Sequence, residues 1–328
     1  MTTPSARPPE QPDFPIDVVY TWVDDRDPAW RARYEEALSS WPREGLNPEA
    51  VSPARFHDRD ELRYSLRSLA AYAPFVRNVY LVTAGQVPSW LDPKAPNLRI
   101  VPHEEILDAD CLPTFNSHAI ESALHRIDGL AERYLYLNDD FFFARRALAS
   151  TYFTAAGRPK LFPDQRAMVP DGPCSPADRA VDSASKNTRD IVWEDFEYPV
   201  KYKMQHVPYA QRRSVIDEME ERLPWVFKQT AHNPFRHYTD LNIPSCLSHY
   251  YGLLTGAAVT GRVQSTYINI GNPWAALTMR RLLQNRDRDV FCLNDGPMGE
   301  KRRSVVDAKV GAFLETYFPA PSPYERAH

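Results

Sequence analysis

The sequence is poor in several residue types, and each scarcity excludes something. Four cysteines, Cys111, Cys174, Cys246 and Cys292, occur in 328 residues, and none forms a CxxC pair. That spacing supports neither a disulfide framework nor a structural zinc site, and it points to reduced thiols in a cytoplasmic protein. No run of roughly 18 apolar residues occurs, so no transmembrane helix is expected, although peripheral association with the inner face of a membrane stays open. The opening, Met1 to Pro15, is polar and proline-rich; it lacks the apolar core of a secretory signal and reads as a disordered leader. Neither sign of charge dominates: 39 Lys and Arg against 43 Asp and Glu leave a net charge of -4, which argues against general nucleic-acid binding. Glycine is scarce, 12 against 30 prolines, so loops should be many and stiff. There is no internal repeat and no low-complexity tract.

What is present is an ordinary globular composition, 43% hydrophobic and 25% charged. The length allows a sizeable core, in one large domain or two smaller ones. The most informative stretch is Arg133 to Phe143. Tyr134 to Leu137 reads as a buried strand; it ends in Asn138, Asp139 and Asp140, and a second apolar run, Phe141 to Phe143, follows at once. Adjacent strand residues point to opposite faces, so Asp139 and Asp140 cannot both face a dry core. Two carboxylates between apolar runs are costly unless water, a cation or hydrogen-bond donors meet them. A polar turn between two strands is the plainer alternative, because Asn-Asp is common turn chemistry.

Two further strands run into acids. Ile16 to Val23 ends in Asp24, Asp25 and Asp27, of which Asp27 before Pro28 makes a good N-cap for a helix over 28–38. Val290 to Leu293 ends in Asn294, Asp295 and Gly296. Oxygen ligands of this kind suit Mg²⁺ or Mn²⁺, which bind substrate phosphates as well. A helix over 60–72 carries an apolar stripe, Leu62, Leu66, Leu69 and Ala73, and a second face of Arg59, Arg63 and Arg67. Those arginines form either a solvated basic face or, with Arg236, an anion site for phosphate oxygens. Together the pieces suggest a nucleotide-diphosphate substrate.

The remaining pattern alternates strands (78–83, 98–101) with a helix over 116–127 that Asn116 or Ser117 could cap, which favours an α/β sheet flanked by helices. Residues 161–190, rich in Pro, Asp and Ser, read as a long loop or lid. A strand over 200–206, a helix from Pro208 to about Glu221, helices over 244–254 and 273–285, a strand over 265–270 and a closing helix over 303–317 make the second half mostly helical. The segment 319–328 reads as a loose tail. Among nine histidines, His206 is the best placed to enter a cleft, since it ends a strand just before Val207-Pro208.

These residues resemble the Stealth family of sugar-phosphate transferases. Four blocks carry the resemblance, in the family's order. They are Ile16 to Asp24; Arg59 to Ser68 with Val79–Thr83, Leu112–Ser117, Ala119-Ile-Glu121 and Tyr136–Asp140; His206-Val-Pro through Arg236 to the 244–254 helix; and Cys292-Leu-Asn-Asp295. The resemblance implies a single catalytic domain over 16–318 with a GT-A-like, Rossmann-like nucleotide-sugar-binding sheet. It implies Mg²⁺- or Mn²⁺-dependent transfer of a hexose-1-phosphate from a UDP-sugar, such as UDP-N-acetylglucosamine, to a glycan hydroxyl, with release of UMP. By the family's pattern Asp139, Asp140, His206 and Arg236 would be catalytic. Asp24, Arg63, Arg67, Asn116, Ser117, Asn138 and Asn294 would bind substrate, and Asp140 and Asp295 would hold the metal. The sequence departs from the pattern at Asp25, where Asn or Gly is frequent, and at Tyr209, where a second His sometimes stands. A glycosyltransferase that releases UDP, or a non-catalytic glycan- or nucleotide-binding protein, are the competing readings.

Overall fold

A computed structural model describes residues 12–42, 48–52, 55–296 and 298–326. The expected leader lies mostly outside the described residues.

At the centre is a five-stranded sheet. Strand β1 (Ile16–Thr21) pairs in parallel with β2 (Val76–Thr83) on one side and with β4 (Arg133–Asn138) on the other; β3 (Leu98–Pro102) extends the β2 side, again in parallel. Tyr209–Arg212 closes the far edge, antiparallel to β4. The order β3-β2-β1-β4 has a switch point between β1 and β4, where the winding of the sheet reverses. Ligands bind beyond the carboxyl ends of the strands at such a point. Strands β1 and β4 are mostly apolar because both faces are covered; Val18, Val19, Leu135 and Leu137 are fully buried. One acid sits inside this sheet at no evident cost. The buried Asp17 receives Arg77 at 2.9 and 2.7 Å and the backbone N–H of Asn78 and Ala131 at 3.1 and 2.7 Å.

Immediately after β4 the chain forms β5 (Phe141–Phe143), which leaves the central sheet and pairs antiparallel with Val290–Asn294; that strand in turn runs parallel to Ser265–Asn269. Two acid-tipped strand ends are thereby brought together, and Leu293 N–H donates to the Asp140 carbonyl at 3.1 Å. Helix α1 (Pro28–Ser40) starts as expected at an Asp27 N-cap, whose side chain accepts from Ala29 N–H. Helix α2 (Glu61–Tyr72) lies against β5: Ser65 Oγ donates to Phe141 O, and Ser68 Oγ accepts from Phe143 N–H.

Four expectations need correction. The helix expected over 116–127 is α-helical only over Ser117–Glu121 and is followed by a separate 3-10 turn at Leu124–Arg126. The supposed lid over 161–190 is largely regular. Pro163–Met168 pairs with Tyr202–Met204, and Ala180–Phe196 is a helix; only the stretch between is loop. Its Asp, Ser and Asn residues favour non-helical local bonding, which hid a helix anchored by the buried Ala184, Thr188, Ile191 and Val192. The helix expected from Pro208 begins only at Arg213, because Tyr209–Arg212 is claimed by β4. The tail is not loose over 319–326: Glu325 bridges to Leu91, and Tyr324 and Ser322 are buried. Among the described residues no helix is long and apolar enough to cross a membrane.

Candidate active site

A cleft of about 1770 Å³ opens beyond the carboxyl ends of β1 and β4. Its floor is the β4–β5 junction. Asp139 and Asp140 sit deep in the protein but face the open cleft. Burial, then repulsion from Asp140, Glu61 and Asp58, pushes the Asp139 carboxyl well above its usual range. Burial raises Asp140 too, although Cys292 Sγ donates to its Oδ2 at 3.3 Å; its other oxygen, Oδ1, is buried without a partner. Glu61, at the first position of α2, is buried and pushed up to about 7 by burial, which Arg59 only partly offsets. Asp58 is likewise pushed up to about 6 by burial and the neighbouring Asp60.

The opposite wall is basic. Helix α3 (Ser117–Glu121) is capped by Asn116, whose side chain accepts from His118 N–H at 3.0 Å. Ser117 and Glu121 are four residues apart and so share one helix face. Ser117 Oγ accepts from Arg236 Nη2 at 2.6 Å and Nε at 3.2 Å. Burial lowers the Arg236 pKa while Glu121 supports its charge. Arg55 lines the same wall, with Nε buried and unpartnered, and its pKa is lowered by burial and by Arg236. Glu121 is pushed up to about 7 by burial against the pull of Arg236. The Tyr136 hydroxyl lies 3.1 Å from Glu121 Oε1 and 2.7 Å from Asn138 Oδ1, with one proton for two acceptors. The cleft is therefore bipolar: the crowded Asp139 and Asp140 carboxyls on its floor face the Arg236 and Arg55 guanidiniums on the wall.

His206 stands at the side of the cleft, its ring packed on Phe141 and Tyr267 at centroid distances of 6.2 and 4.8 Å. The surrounding protein lowers its basicity, to about 4, so the imidazole is neutral at pH 7 even though part of the ring is open to solvent.

Of the residues expected from sequence, Asp139, Asp140, His206, Arg236, Ser117, Asn138, Asn294 and Asp295 line this one cleft. Four do not. Asp24 is held by Arg26 at 2.8 and 3.2 Å. Asn116 is a buried pin whose Nδ2 donates to Asn233 O and Asp240 Oδ2. Arg63 and Arg67 turn to Glu325, at 2.6 and 2.7 Å. The Asn294 side chain is fixed by the Tyr267 hydroxyl at 2.7 Å. Arg55, Glu61 and Glu121 were missed. Glu121 was findable, because Asn-Ser-x-x-x-Glu at a helix start puts Ser and Glu on one face; an isolated Arg55 carried no comparable signal.

Which residues fit a divalent cation follows from the donors. Asp139 and Asp140 offer hard oxygens, one of them orphaned, and suit Mg²⁺ or Mn²⁺. Asp295 fits less well than expected, since its Oδ2 is already met by Arg59 and Arg303, each at 3.0 Å. Among the described residues no three carboxylate, thiol or imidazole ligands converge in the cleft. A cation there would complete its shell with substrate phosphate and water, as Mg²⁺ usually does.

Comparison with known proteins gives the family. Models of Stealth protein conserved regions 1 to 4 match residues 14–40, 55–161, 205–253 and 280–328. An exopolysaccharide phosphotransferase of Streptomyces coelicolor is 46% identical over 97% of this chain and 53% of its own length. Another, CpsY of Mycobacterium tuberculosis, is 37% identical over 95% of this chain and 58% of its own. The chain thus spans somewhat more than half the length of these relatives. Among solved structures, a galactosyltransferase, LgtC, in complex with donor and acceptor sugar analogues, aligns at TM-score 0.44 and 13% identity over 92% of this chain and 95% of that one.

Proposed function

The chain belongs to the Stealth family, and from that premise we propose that it transfers a hexose-1-phosphate from a UDP-sugar to a hydroxyl of a glycan acceptor. The acceptor oxygen attacks the β-phosphorus. The bond from that phosphorus to the bridging oxygen breaks, a phosphodiester forms, and UMP leaves. The observation that carries this reading is the bipolar cleft, with acids on the β4–β5 floor and Arg55 and Arg236 on the facing wall. A diphosphate with its cation presents the complementary charges to both walls.

The residues divide the work as phosphoryl transfer requires, by positioning and charge neutralisation. Arg236, oriented by Ser117, with Arg55 beside it, meets the oxygens of the transferring phosphate, where charge must be stabilised in the transition state. His206, neutral at pH 7, accepts the proton of the attacking hydroxyl. Asp139 and Asp140 would hold Mg²⁺ or Mn²⁺, which when bound neutralises the departing UMP phosphate.

The deciding experiment incubates the purified chain with a panel of UDP-sugars, Mg²⁺ or Mn²⁺ and a hydroxylated glycan, and identifies the nucleotide released. UMP together with a sugar-phosphate-modified acceptor is the expected result. UDP release would overturn the reading in favour of glycosyl transfer. Turnover undiminished in EDTA would remove the cation from it.

A further inference from the structure

Outside the cleft, one group of potential ligands has no part in the transfer chemistry. Asp110 and Cys111 precede α3, and His232 follows the helix Pro224–Ala231. One ligand atom from each lies within 4.8 Å of the others. His232 Nε2 is 3.2 Å from Asp110 Oδ2; Cys111 Sγ is 3.7 Å from Asp110 Oδ1, 3.5 Å from His232 Nδ1 and 4.0 Å from His232 Nε2. Tetrahedral zinc with bonds of about 2.0–2.3 Å separates its ligands by about 3.3–3.8 Å, so the three are near the needed spacing, and Cys111 Sγ must turn from the Nδ1 side of the ring to the Nε2 side on binding. The other ring nitrogen, Nδ1, lies 2.7 Å from Lys228 O. Donation of Nδ1–H to a backbone carbonyl is how metal-ligating histidines are commonly oriented, and it leaves the Nε2 lone pair for the ion. Cys111 is buried, Asp110 is exposed and His232 is partly exposed, so a fourth position is open to water.

We propose that Asp110, Cys111 and His232 form a second metal site, for Zn²⁺ or a transition metal of similar softness, distinct from the oxygen-lined cleft. A thiolate and an imidazole select such metals over Mg²⁺. The site ties together two loops that run side by side into the cleft. From Cys111 the chain reaches Ser117, and from His232 it reaches Arg236. Between them Phe115 N–H donates to Pro234 O at 2.7 Å and Asn116 Nδ2 to Asn233 O at 3.0 Å, before Arg236 meets Ser117. Binding replaces the thiol proton with the metal and releases that proton to solvent. The distance in sequence between Cys111 and His232 is what concealed the site.

The test needs no transfer activity. Purified, chelator-treated protein is titrated with Co²⁺ and followed by near-ultraviolet absorption, where a cobalt–thiolate charge-transfer band reports a cysteine ligand. A band saturating at one equivalent, competed away by Zn²⁺ and unaffected by millimolar Mg²⁺, is expected. Cys111→Ser should abolish it. His232→Gln and Asp110→Asn, the latter at an exposed position that keeps the fold, should raise the Kd more than about tenfold. No band in the parent protein overturns the proposal, as does a band that survives in Cys111→Ser. Unchanged affinity in both His232→Gln and Asp110→Asn overturns it equally.

Discussion

Helix α2 carries the same kinds of charged residue at two places with opposite outcomes. At its first turn, Glu61 joins Asp58, Asp139 and Asp140. Burial pushes Glu61 up to about 7, and Arg59 cannot compensate because it is shared with Asp295 and Asp307. One turn further on, Arg63 and Arg67 enclose Glu325. Burial works against that carboxylate as well, but bonds from Arg67, Ser322 N–H and Arg63 overcome it and hold the carboxyl at about 2. The clasp is complete within the protein. The cleft cluster is not: Asp140 Oδ1 in the floor, and Arg55 Nε and Glu121 Oε2 in the facing wall, are buried without partners. A satisfied buried ion pair needs nothing more, whereas an unsatisfied one marks a site waiting for a ligand. Asp17, with its four donors, belongs with the clasp.

The strongest way to break this comparison is to remove one charge from the cleft. Asp140→Asn should lower turnover by about a thousandfold or more, about 4 kcal/mol in the barrier. Stability should stay the same or rise, because an amide is easier to bury beside Asp139 than a second carboxylate. Initial rates of nucleotide release set beside urea unfolding midpoints give both numbers. A variant that keeps its rate, or loses stability in proportion to activity, would make Asp140 a structural residue.

In the clasp the expectation reverses. Arg67→Ala leaves Glu325 buried without its bidentate partner, and the fold should lose about 3 kcal/mol. Activity per folded molecule should stay within about twofold, since the guanidinium points away from the cleft. The check is a denaturation curve with kcat measured below the transition. Full stability with lost donor affinity would restore the phosphate-binding role that the sequence pattern suggests.

That reversal shows what a sequence carries and what it hides. The β1, β2 and β4 runs were readable, and so were the acids that end β1 and β4, because apolar stretches stopped by charge report burial directly. The pairing of β5 with Val290–Asn294 depends on long-range contact that spacing does not encode; the acid-tipped strands suggested that Asp140 and Asp295 share a cleft but could not show it. Helical periodicity put Arg59, Arg63 and Arg67 on one face; that holds for Arg63 and Arg67, but Arg59 precedes the helix, which starts at Glu61 after a left-handed Asp60. It could not say that Arg59 faces the cleft while the other two face Glu325, because the deciding partner lies more than 250 residues away. The 319–326 segment looked loose for the same reason, since its order comes from distant partners, Trp90 to Asp92 and the α2 arginines. Tertiary context likewise overrode local composition in the Ala180–Phe196 helix.

The finest test uses pH, because the two regions should respond in opposite directions. Glu121, raised from 4.5 to about 7, contributes stability that is fully present below pH 4.5 and lost as pH rises through about 7. Glu325 and Glu220, both lowered to about 2, contribute stability that is present above pH 4.5 and lost as pH falls toward 2. Metal-free protein should therefore lose stability on both sides of roughly pH 5. Glu121→Gln, which keeps an oxygen for the Tyr136 hydroxyl but cannot ionise, should remove part of the alkaline loss. Relative to the parent it should gain on the order of 1–2 kcal/mol between pH 5 and 8 and leave the acid limb alone. Arg67→Ala should flatten the acid limb and leave the alkaline one. Thermal unfolding followed by circular dichroism from pH 3 to 8 resolves both limbs. Parallel curves for parent and Glu121→Gln would mean that Arg236 keeps Glu121 ionised at neutral pH, and the wall around Glu121 would then be a closed ion pair like the clasp.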